Sequence, residues 1–463
     1  MCGLTGEVCF DGSRPDMAAV ERMTDALEFR GPDGRGLWSH GAVALGHRRL
    51  KIIDLSERGA QPMTDSRLGL TAVFNGCIYN HRPLRARLEG LGHRFFSDSD
   101  TEVLVKAYAQ WGPECVDFFA GMFAFAIVDH ETGRVVLGRD RLGIKPLYVN
   151  QDCSRLRFAS TLPALLAGGG VDTSIDPAAL HQYLSWHGTV VAPRTVLAGV
   201  RKLPPATVRV VEPDGSHRDH RYWQPSYTRH SELGSDPVLW REAVHDALRT
   251  AVRRRMVADV SVGVLLSGGL DSSLMVAVLA EQGYRDVPTF AMGFEEENGE
   301  EGEEFAYSDL IARRFSTDHH QFMIPSDRLP VALEAAISAM SEPMVSHDAV
   351  AFHMLSEQVS KEVKVVLCGQ GADEVFAGYH WYPRIAAAPR RQRSTPMPVR
   401  TSTGRTPTSP PCSTRTSPSA ATPLRTSCAS TWPLPEPRPP WTRLSVWTST
   451  RSCPTTPSRG STT

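Results

Sequence analysis

Short apolar runs bounded by turn residues dominate the first third of the chain. Ala42-Val43-Ala44-Leu45-Gly46-His47 and Leu70-Thr71-Ala72-Val73-Phe74 predict strands. So does Phe123-Ala124-Phe125-Ala126-Ile127-Val128, which turns at 129–133 into a partner strand over 134–138. Apolar positions recur at helical spacing over 18–27 and 101–111. Strands packed face to face with flanking helices suit that order. The pattern then changes. A charged helix from Pro237 towards Arg255 precedes Val260-Ser261-Val262-Gly263-Val264-Leu265-Leu266, a run fit for a buried parallel strand. A glycine-rich turn and an apolar helix over 274–281 follow, and runs at 289–294 and 363–367 predict two more strands. The fold class is α/β, with four segments: a sandwich domain over 2–165, a connecting region over 166–236 punctuated by Leu203-Pro204-Pro205-Ala206, a doubly wound domain over 237–389, and a tail over 390–463.

Composition changes that picture at one place only. The chain is 41% hydrophobic and 22% charged with net charge −1, so no basic excess points to nucleic acid. No apolar run approaches the ~20 residues of a membrane helix, and Met1-Cys2-Gly3-Leu4-Thr5-Gly6-Glu7 carries no signal-peptide pattern. Nine cysteines without a CxxC pair argue against a zinc site or a disulfide framework. A soluble cytoplasmic protein is expected. In the tail, however, Ser, Thr, Pro and Arg prevail; Glu436 is the sole acidic residue after Glu374, and no lysine follows Lys364. Such a stretch cannot bury enough surface to fold, and its composition suits out-of-frame translation of a GC-rich gene.

Candidate chemistry begins at Cys2. Removal of Met1 leaves a thiol and a free α-amine on one residue, and the amine, a weak base near neutral pH, can take the thiol proton. Polar clusters interrupt the strands at Phe29-Arg30-Gly31-Pro32-Asp33-Gly34, Gly46-His47-Arg48-Arg49-Leu50, Asn75-Gly76-Cys77-Ile78-Tyr79-Asn80 and Ser99-Asp100-Thr101-Glu102. Singly, Asn75-Gly76 reads as a hairpin turn, Ser99 or Asp100 as a helix N-cap, and His47, like His347, as structural. Together with Cys2 they resemble the glutaminase domain of the class II glutamine amidotransferases over roughly the first 150 residues, too many ordered motifs for coincidence.

That resemblance implies an αββα N-terminal-nucleophile fold and assigns roles. Cys2 attacks the side-chain amide of glutamine and releases ammonia through a thioester. The Asn75 side chain and the Gly76 N–H form the oxyanion hole. Arg49 grips the α-carboxylate, Asp100 pairs with the α-ammonium, and the backbone from Leu50 to Ile53 lines the pocket. One departure is Cys77, where the family pattern Asn-Gly-Glu-Ile-Tyr-Asn has glutamate; losing that acidic contact is expected to raise the glutamine KM. The segments Met122 to Phe125 and Arg139-Asp140-Arg141-Leu142-Gly143-Ile144-Lys145-Pro146-Leu147-Tyr148 belong to the same pattern and are read as scaffold.

In the second half, Ser267-Gly268-Gly269-Leu270-Asp271-Ser272-Ser273 joins a strand to a helix, the geometry that presents backbone N–H groups to phosphate. It lacks Gly-Lys-Ser/Thr and resembles the pyrophosphate-binding loop of ATP pyrophosphatases. By that resemblance Ser267, Gly268, Gly269, Ser272 and Ser273 hold ATP phosphates, Asp271 holds Mg2+, and Leu266 and Met292 flank the adenine. The acidic run 295–304 reads as a solvated loop. Cys368-Gly369-Gln370-Gly371-Ala372-Asp373-Glu374 resembles the family's second nucleotide segment, with Cys368 in place of serine. Asp373 is implied as a second Mg2+ ligand, with Glu374 nearby, and Glu342 is placed near the acyl-adenylate.

The two halves together resemble the asparagine synthetases, in which ammonia reaches a carboxylate activated as acyl-AMP. Phe74-Asn75-Gly76-Cys77, Glu342-Pro343-Met344-Val345-Ser346-His347-Asp348 and Gly369-Gln370-Gly371-Ala372-Asp373 resemble the N-acetylglutaminylglutamine amidotransferase branch. There Ser346 stands where the asparagine branch has aspartate, which suits an acylated dipeptide acceptor. Aspartate as acceptor, and a glutaminase-only chain, are the alternatives. The oligomeric state stays open. Since nothing after about Arg384 matches the family pattern, the synthetase domain is expected to be incomplete and amide synthesis lost.

Overall fold

The computed structural model describes residues 1–227, 232–294, 305–325, 327–344, 346 and 348–387. The acidic run 295–304, Val345, His347 and the tail 390–463 lie outside the described residues. The first half comprises β1 (Gly3–Cys9), α1 (Met17–Asp25), β2 (Gly34–His40), β3 (Val43–Arg49), β4 (Met63–Asp65), β5 (Leu70–Ile78), α2 (His81–Gly90), α3 (Asp100–Trp111), β6 (Gly121–Asp129), β7 (Val135–Arg139), β8 (Tyr148–Gln151), β9 (Arg155–Ala159), α4 (Leu162–Ala167), α5 (Pro177–Ser185), β10 (Arg201–Lys202), β11 (Thr207–Val211) and β12 (His217–Arg221). These strands form two six-stranded sheets, ordered β10-β8-β9-β1-β3-β2 and β12-β11-β7-β6-β5-β4.

Strand alternation decides the layering. Along β6, Ala124, Ala126 and Val128 face the other sheet and pack with Leu4, Val8, Leu45 and Phe158. Phe123, Phe125 and Ile127 face the opposite way, onto Leu84 and Leu88 of α2 and Val103 and Leu104 of α3. On the far side, Val20 and Met23 of α1 and Leu162 and Leu165 of α4 cover Ala44, Tyr148 and Ala159. One apolar layer between the sheets and one under the helices on each outer face give the four-layer αββα sandwich.

The second half comprises α6 (Pro237–Arg255), β13 (Val262–Leu265), α7 (Leu270–Glu281), β14 (Pro288–Phe294), α8 (Phe305–Phe315), β15 (Asp318–Ile324), α9 (Arg328–Ala339), α10 (Asp348–Val359) and β16 (Val365–Leu367). Its sheet is parallel throughout, ordered β15-β14-β13-β16. Val252 of α6, Val276 of α7 and Ala312 of α8 pack on one face with Val264, whereas Leu355 and Val359 of α10 pack with Phe290, and Ala336 of α9 packs with Ile324. The sheet is therefore doubly wound, and the strand order reverses between β13 and β16, the place where such sheets bind ligands beyond their carboxyl ends. A second compact unit begins at Gln370 and contains α11 (Ala372–Phe376) and α12 (Tyr382–Ala387).

Three expectations change. The connecting region 166–236 is not merely a connector. β10 extends the first sheet beside β8, and β11 and β12 extend the second beside β7, so the sandwich runs past residue 165 to the end of β12. Asn75-Gly76 is not a turn but the middle of β5, paired with Ala124 and Phe123. The parallel sheet has a further strand, β15, whose sequence Asp318-His319-His320-Gln321-Phe322-Met323-Ile324 lacks an apolar run because it pairs on one side only. No helix among the described residues is long and apolar enough to cross a membrane.

Candidate active site

Cys2 is half-buried just before β1, and its Sγ lies 3.3 Å from the amide N–H of Leu50, at the end of β3. Sγ is also 3.6 Å from the Leu50 carbonyl. Burial pushes the thiol above its usual pKa, so attack requires a base. The α-amine of Met1 donates to the Arg30 carbonyl at 2.9 Å, and burial lowers its pKa to about 5. The Met1 amine is thus neutral at pH 7.

Asn75 is 1% exposed in β5. Its Nδ2 reaches the Ser160 Oγ at 3.5 Å, and the same oxygen accepts from the Leu4 N–H at 3.0 Å. Ser160, fully buried at the end of β9, therefore ties the proposed oxyanion donor to the nucleophile's strand. Gly76 has no alternative: a Cβ there would stand 2.4 Å from the Met122 carbonyl oxygen and 2.7 Å from the Phe123 Cα. Ser99 is the N-cap of α3, its side chain accepting from the Thr101 N–H. That frees Asp100, whose Oδ2 accepts from the Ile78 N–H at 3.0 Å. Burial pushes the Asp100 carboxyl up to about 7, opposed in part by the Arg49 charge. Asp100 in turn is felt by Cys2 and by the buried Cys77, whose thiol is pushed well up by burial.

Arg49 is buried, and its guanidinium already holds the carbonyls of Ser56 at 2.8 Å, Ile53 at 3.4 Å and Asp54. Its fork thus shapes the 53–56 loop from inside. Ile53 is nearly buried and lines this loop. His47 is fully buried with Nε2 3.0 Å from the Phe74 carbonyl, while its buried Nδ1 has no partner.

Two cations escaped the sequence reading. Arg30 Nε donates to the Cys2 carbonyl at 3.2 Å. Lys145, only 4% exposed, places Nζ 3.0 Å from Met1 Sδ, and burial lowers its pKa to about 8. Asp140 delivers it there, because its carboxylate accepts from the N–H groups of Leu142, Ile144 and Lys145 at 3.2, 2.9 and 2.9 Å. A buried lysine in a segment read as scaffold was the available signal, but only burial reveals it. Ser160 gave no signal at all.

The second site lies at the ends of β13 and β16. The loop turns left-handed at Gly268, φ 84°, and Gly269 caps α7 without a side-chain bond. Ser267 Oγ is 3.2 Å from Ser272 Oγ and accepts from the Gly269 N–H at 3.3 Å. Ser273 Oγ is buried without a partner, an orphaned donor that a phosphate oxygen would satisfy. Gly369, just beyond β16, is so close that a Cβ would lie 2.8 Å from the Asp271 Cβ. Leu266 is fully buried in the core and its N–H is bound to the Phe290 carbonyl at 2.7 Å, so it offers a nucleotide its backbone carbonyl only. Met292 is partly buried beside Phe322, and Cys368 is exposed. No three His, Cys, Asp or Glu side chains converge on a metal among the described residues. Within the second unit, Asp373 and Glu374 occupy the first turn of α11, and Tyr379 Oη donates to Glu374 at 2.8 Å.

Glu342 is gripped by the first half. Its carboxylate accepts from Tyr148 Oη at 2.8 Å and from Lys202 Nζ at 2.9 and 3.0 Å, and the preceding Ser341 Oγ accepts from the Leu162 N–H at 3.1 Å. Ser346 Oγ binds Asp348 at the start of α10, accepting from its N–H at 3.2 Å and lying 3.1 Å from its Oδ2.

Known proteins resemble this chain in sequence. A model of the glutamine amidotransferase domain matches residues 1–223, and a model of asparagine synthase matches 243–456. The second match runs past residue 390, where the composition breaks, which corrects the expectation that nothing after about Arg384 matches the family pattern. Glutamine-hydrolysing asparagine synthetase 3 of Bacillus subtilis (strain 168) is 32% identical over 396 residues, covering 82% of this chain and 64% of the relative. Asparagine synthetase 1 of the same organism is 33% identical, covering 78% and 56%. A putative asparagine synthetase 2 of Methanocaldococcus jannaschii is 32% identical over 408 residues, covering 82% and 76%. The chain thus spans less than two thirds of the length of the two Bacillus relatives.

Proposed function

Because the chain belongs to the glutamine-hydrolysing asparagine synthetase family, we propose that it is a glutamine- and ATP-dependent amidotransferase. The observation that carries this reading is the Leu50 N–H held 3.3 Å from the Cys2 thiol, with the Asp100 carboxyl near enough for its charge to act on that thiol. After removal of Met1, the Cys2 amine takes the thiol proton as sulfur attacks the glutamine amide carbon. The oxyanion is met by Asn75 Nδ2 and the Gly76 N–H. The proton passes to the leaving nitrogen, ammonia departs, and water cleaves the thioester to glutamate.

In the second half the acceptor carboxylate displaces pyrophosphate from the α-phosphorus of ATP, and ammonia then displaces AMP to leave an amide. Gly269, Ser272 and Ser273, at the open end of α7, hold the phosphates. Asp271 suits Mg2+, which takes one or two carboxylates plus phosphate oxygens and supplies charge neutralisation; Asp373 is proposed as its second carboxylate. Cys77 in place of glutamate is proposed to weaken the hold on glutamine, leaving Asp100 as the main anion for its ammonium. For the acceptor, Ser346 in place of aspartate favours a carboxylate without a free α-amine, with N-acetylglutaminylglutamine as the specific candidate and aspartate as the second reading.

The test is glutamate release by the purified full chain and by Cys2→Ala, with ATP-Mg2+ and each acceptor, alongside AMP formation. Cys2-dependent glutamate release is expected, with AMP formation greater for the acylated dipeptide than for aspartate. A folded chain lacking Met1 that releases no glutamate would refute the glutaminase step. Glutamate release with no AMP from any acceptor would reduce the chain to a glutaminase.

A further inference from the structure

The segment 50–54 supplies the backbone that meets the Cys2 thiol, and Arg49 wraps its carbonyls. Two of its backbone groups, the Ile52 carbonyl and the Asp54 N–H, are bound directly by the ATP half. The Asp259 N–H donates to the Ile52 carbonyl at 2.8 Å, and Asp259 Oδ2 accepts from the Asp54 N–H at 2.8 Å. The Lys51 N–H donates to Asp33 Oδ2 at 2.9 Å, and Lys364 Nζ donates to that same oxygen at 2.6 Å. Arg82 stands 3.7 Å from Asp259 Oδ1, and Arg255 lies over the Tyr79 ring at 5.5 Å.

Asp54 is the node of this network. It holds a left-handed φ of 53°, which a side-chain-bearing residue keeps only when its surroundings impose it. Its carbonyl accepts from Arg49, its Oδ2 accepts from the Asp98 N–H at 3.0 Å, two residues before Asp100, and its N–H goes to Asp259. The supports of the pocket's cation and of its anion therefore meet at one residue, and the second half holds that residue.

Lys364 directly precedes β16 and Asp259 lies three residues before the start of β13, its neighbour in the parallel sheet. The opposite ends of these strands carry the phosphate loop and Gly369. One pair of short strands thus spans from the glutamine loop to the ATP loop.

We propose that Asp259, assisted by Lys364, is a positioning residue for glutamine binding: from the ATP half it fixes the 50–54 backbone, so that the glutamine pocket is complete only when the two halves are docked. The proposal rests on the glutaminase reading of Cys2. It gives Asp259 no contact with substrate.

The experiment uses the full chain and three variants, Asp259→Ala, Asp259→Asn and Lys364→Met, with glutamine KM and kcat as one readout and hydrogen exchange of the 50–56 backbone as the other. In Asp259→Ala, KM is expected to rise about tenfold, as for loss of a hydrogen bond to a charged group, with kcat changing much less and exchange at 50–56 speeding up. Asp259→Asn keeps an acceptor for the Asp54 N–H and restores both. Lys364→Met falls between. Wild-type KM and exchange in Asp259→Ala would overturn the proposal, as would equal damage to KM and kcat in both Asp259 variants. If the wild type itself releases no glutamate, the glutaminase reading fails, and the exchange arm still decides whether Asp259 holds the loop.

Discussion

Asp100 shows how one residue's environment sets a testable chemistry. Its carboxyl, pushed up to about 7 by burial, is neutral below that pH and cannot pair with an ammonium. The glutamine KM is therefore expected to rise about tenfold from pH 8 to pH 6, following a single protonation, and Asp100→Asn should flatten the profile at a high KM. The stability effect has a definite sign. A carboxyl whose folded pKa exceeds its unfolded value contributes stability at low pH that is lost as pH rises through 7. Asp100→Asn should accordingly raise the melting temperature at pH 8 relative to wild type while impairing glutamine binding, a trade of stability for function. At this scale the motifs named Cys2, Arg49, Asn75, Gly76 and Asp100, because side-chain identity and order are legible in sequence. They gave no sign that Lys145 and Arg30 flank Cys2 or that Ser160 holds Asn75, since those contacts join residues far apart in the chain.

At the scale of elements, pairing partners decide what a local sequence becomes. Asn75-Gly76 has the composition of a hairpin turn, yet pairing with Ala124 and Phe123 of β6 carries it as strand. Gly76→Ala must push β6 away, and is expected to cost about 1–3 kcal/mol, as overpacking does, together with Cys2-dependent glutamate release; thermal unfolding and a glutamate assay read the two effects. Gly369→Ala should act at the other site. Its Cβ would press on Asp271 and on the Ser272 N–H, 3.0 Å away, so the KM for ATP in AMP formation should rise while glutamate release persists. The buried strands β3, β5, β6, β13 and β14 were legible because their apolar runs are continuous. β12, exposed throughout, and the edge strand β15 were not.

For the whole molecule, the contacts between halves matter most. Glu342 lies in the sequence of the ATP half, yet its carboxylate is bound by Tyr148 of β8 and Lys202 of β10, with Glu342 and Lys202 side chains only 21% and 12% exposed. Removing one partner of a largely buried pair leaves the other charge uncompensated. Lys202→Met is thus expected to lower acceptor-dependent AMP formation by about tenfold, as for a lost hydrogen bond to a charged group, while Cys2-dependent glutamate release continues; equal loss of both activities would show general misfolding instead. The sequence by itself determined the sandwich and doubly wound halves and singled out the candidate nucleophile and candidate phosphate loop, because apolar period and contiguous motifs are local properties of a chain. Only the tertiary structure decided that β10–β12 complete the sandwich, that Glu342 is held from across the interface, and that Asp259 binds the backbone of 52–54. Those are pairings between distant residues, fixed by which backbone and charged groups folding leaves without water and in need of a partner.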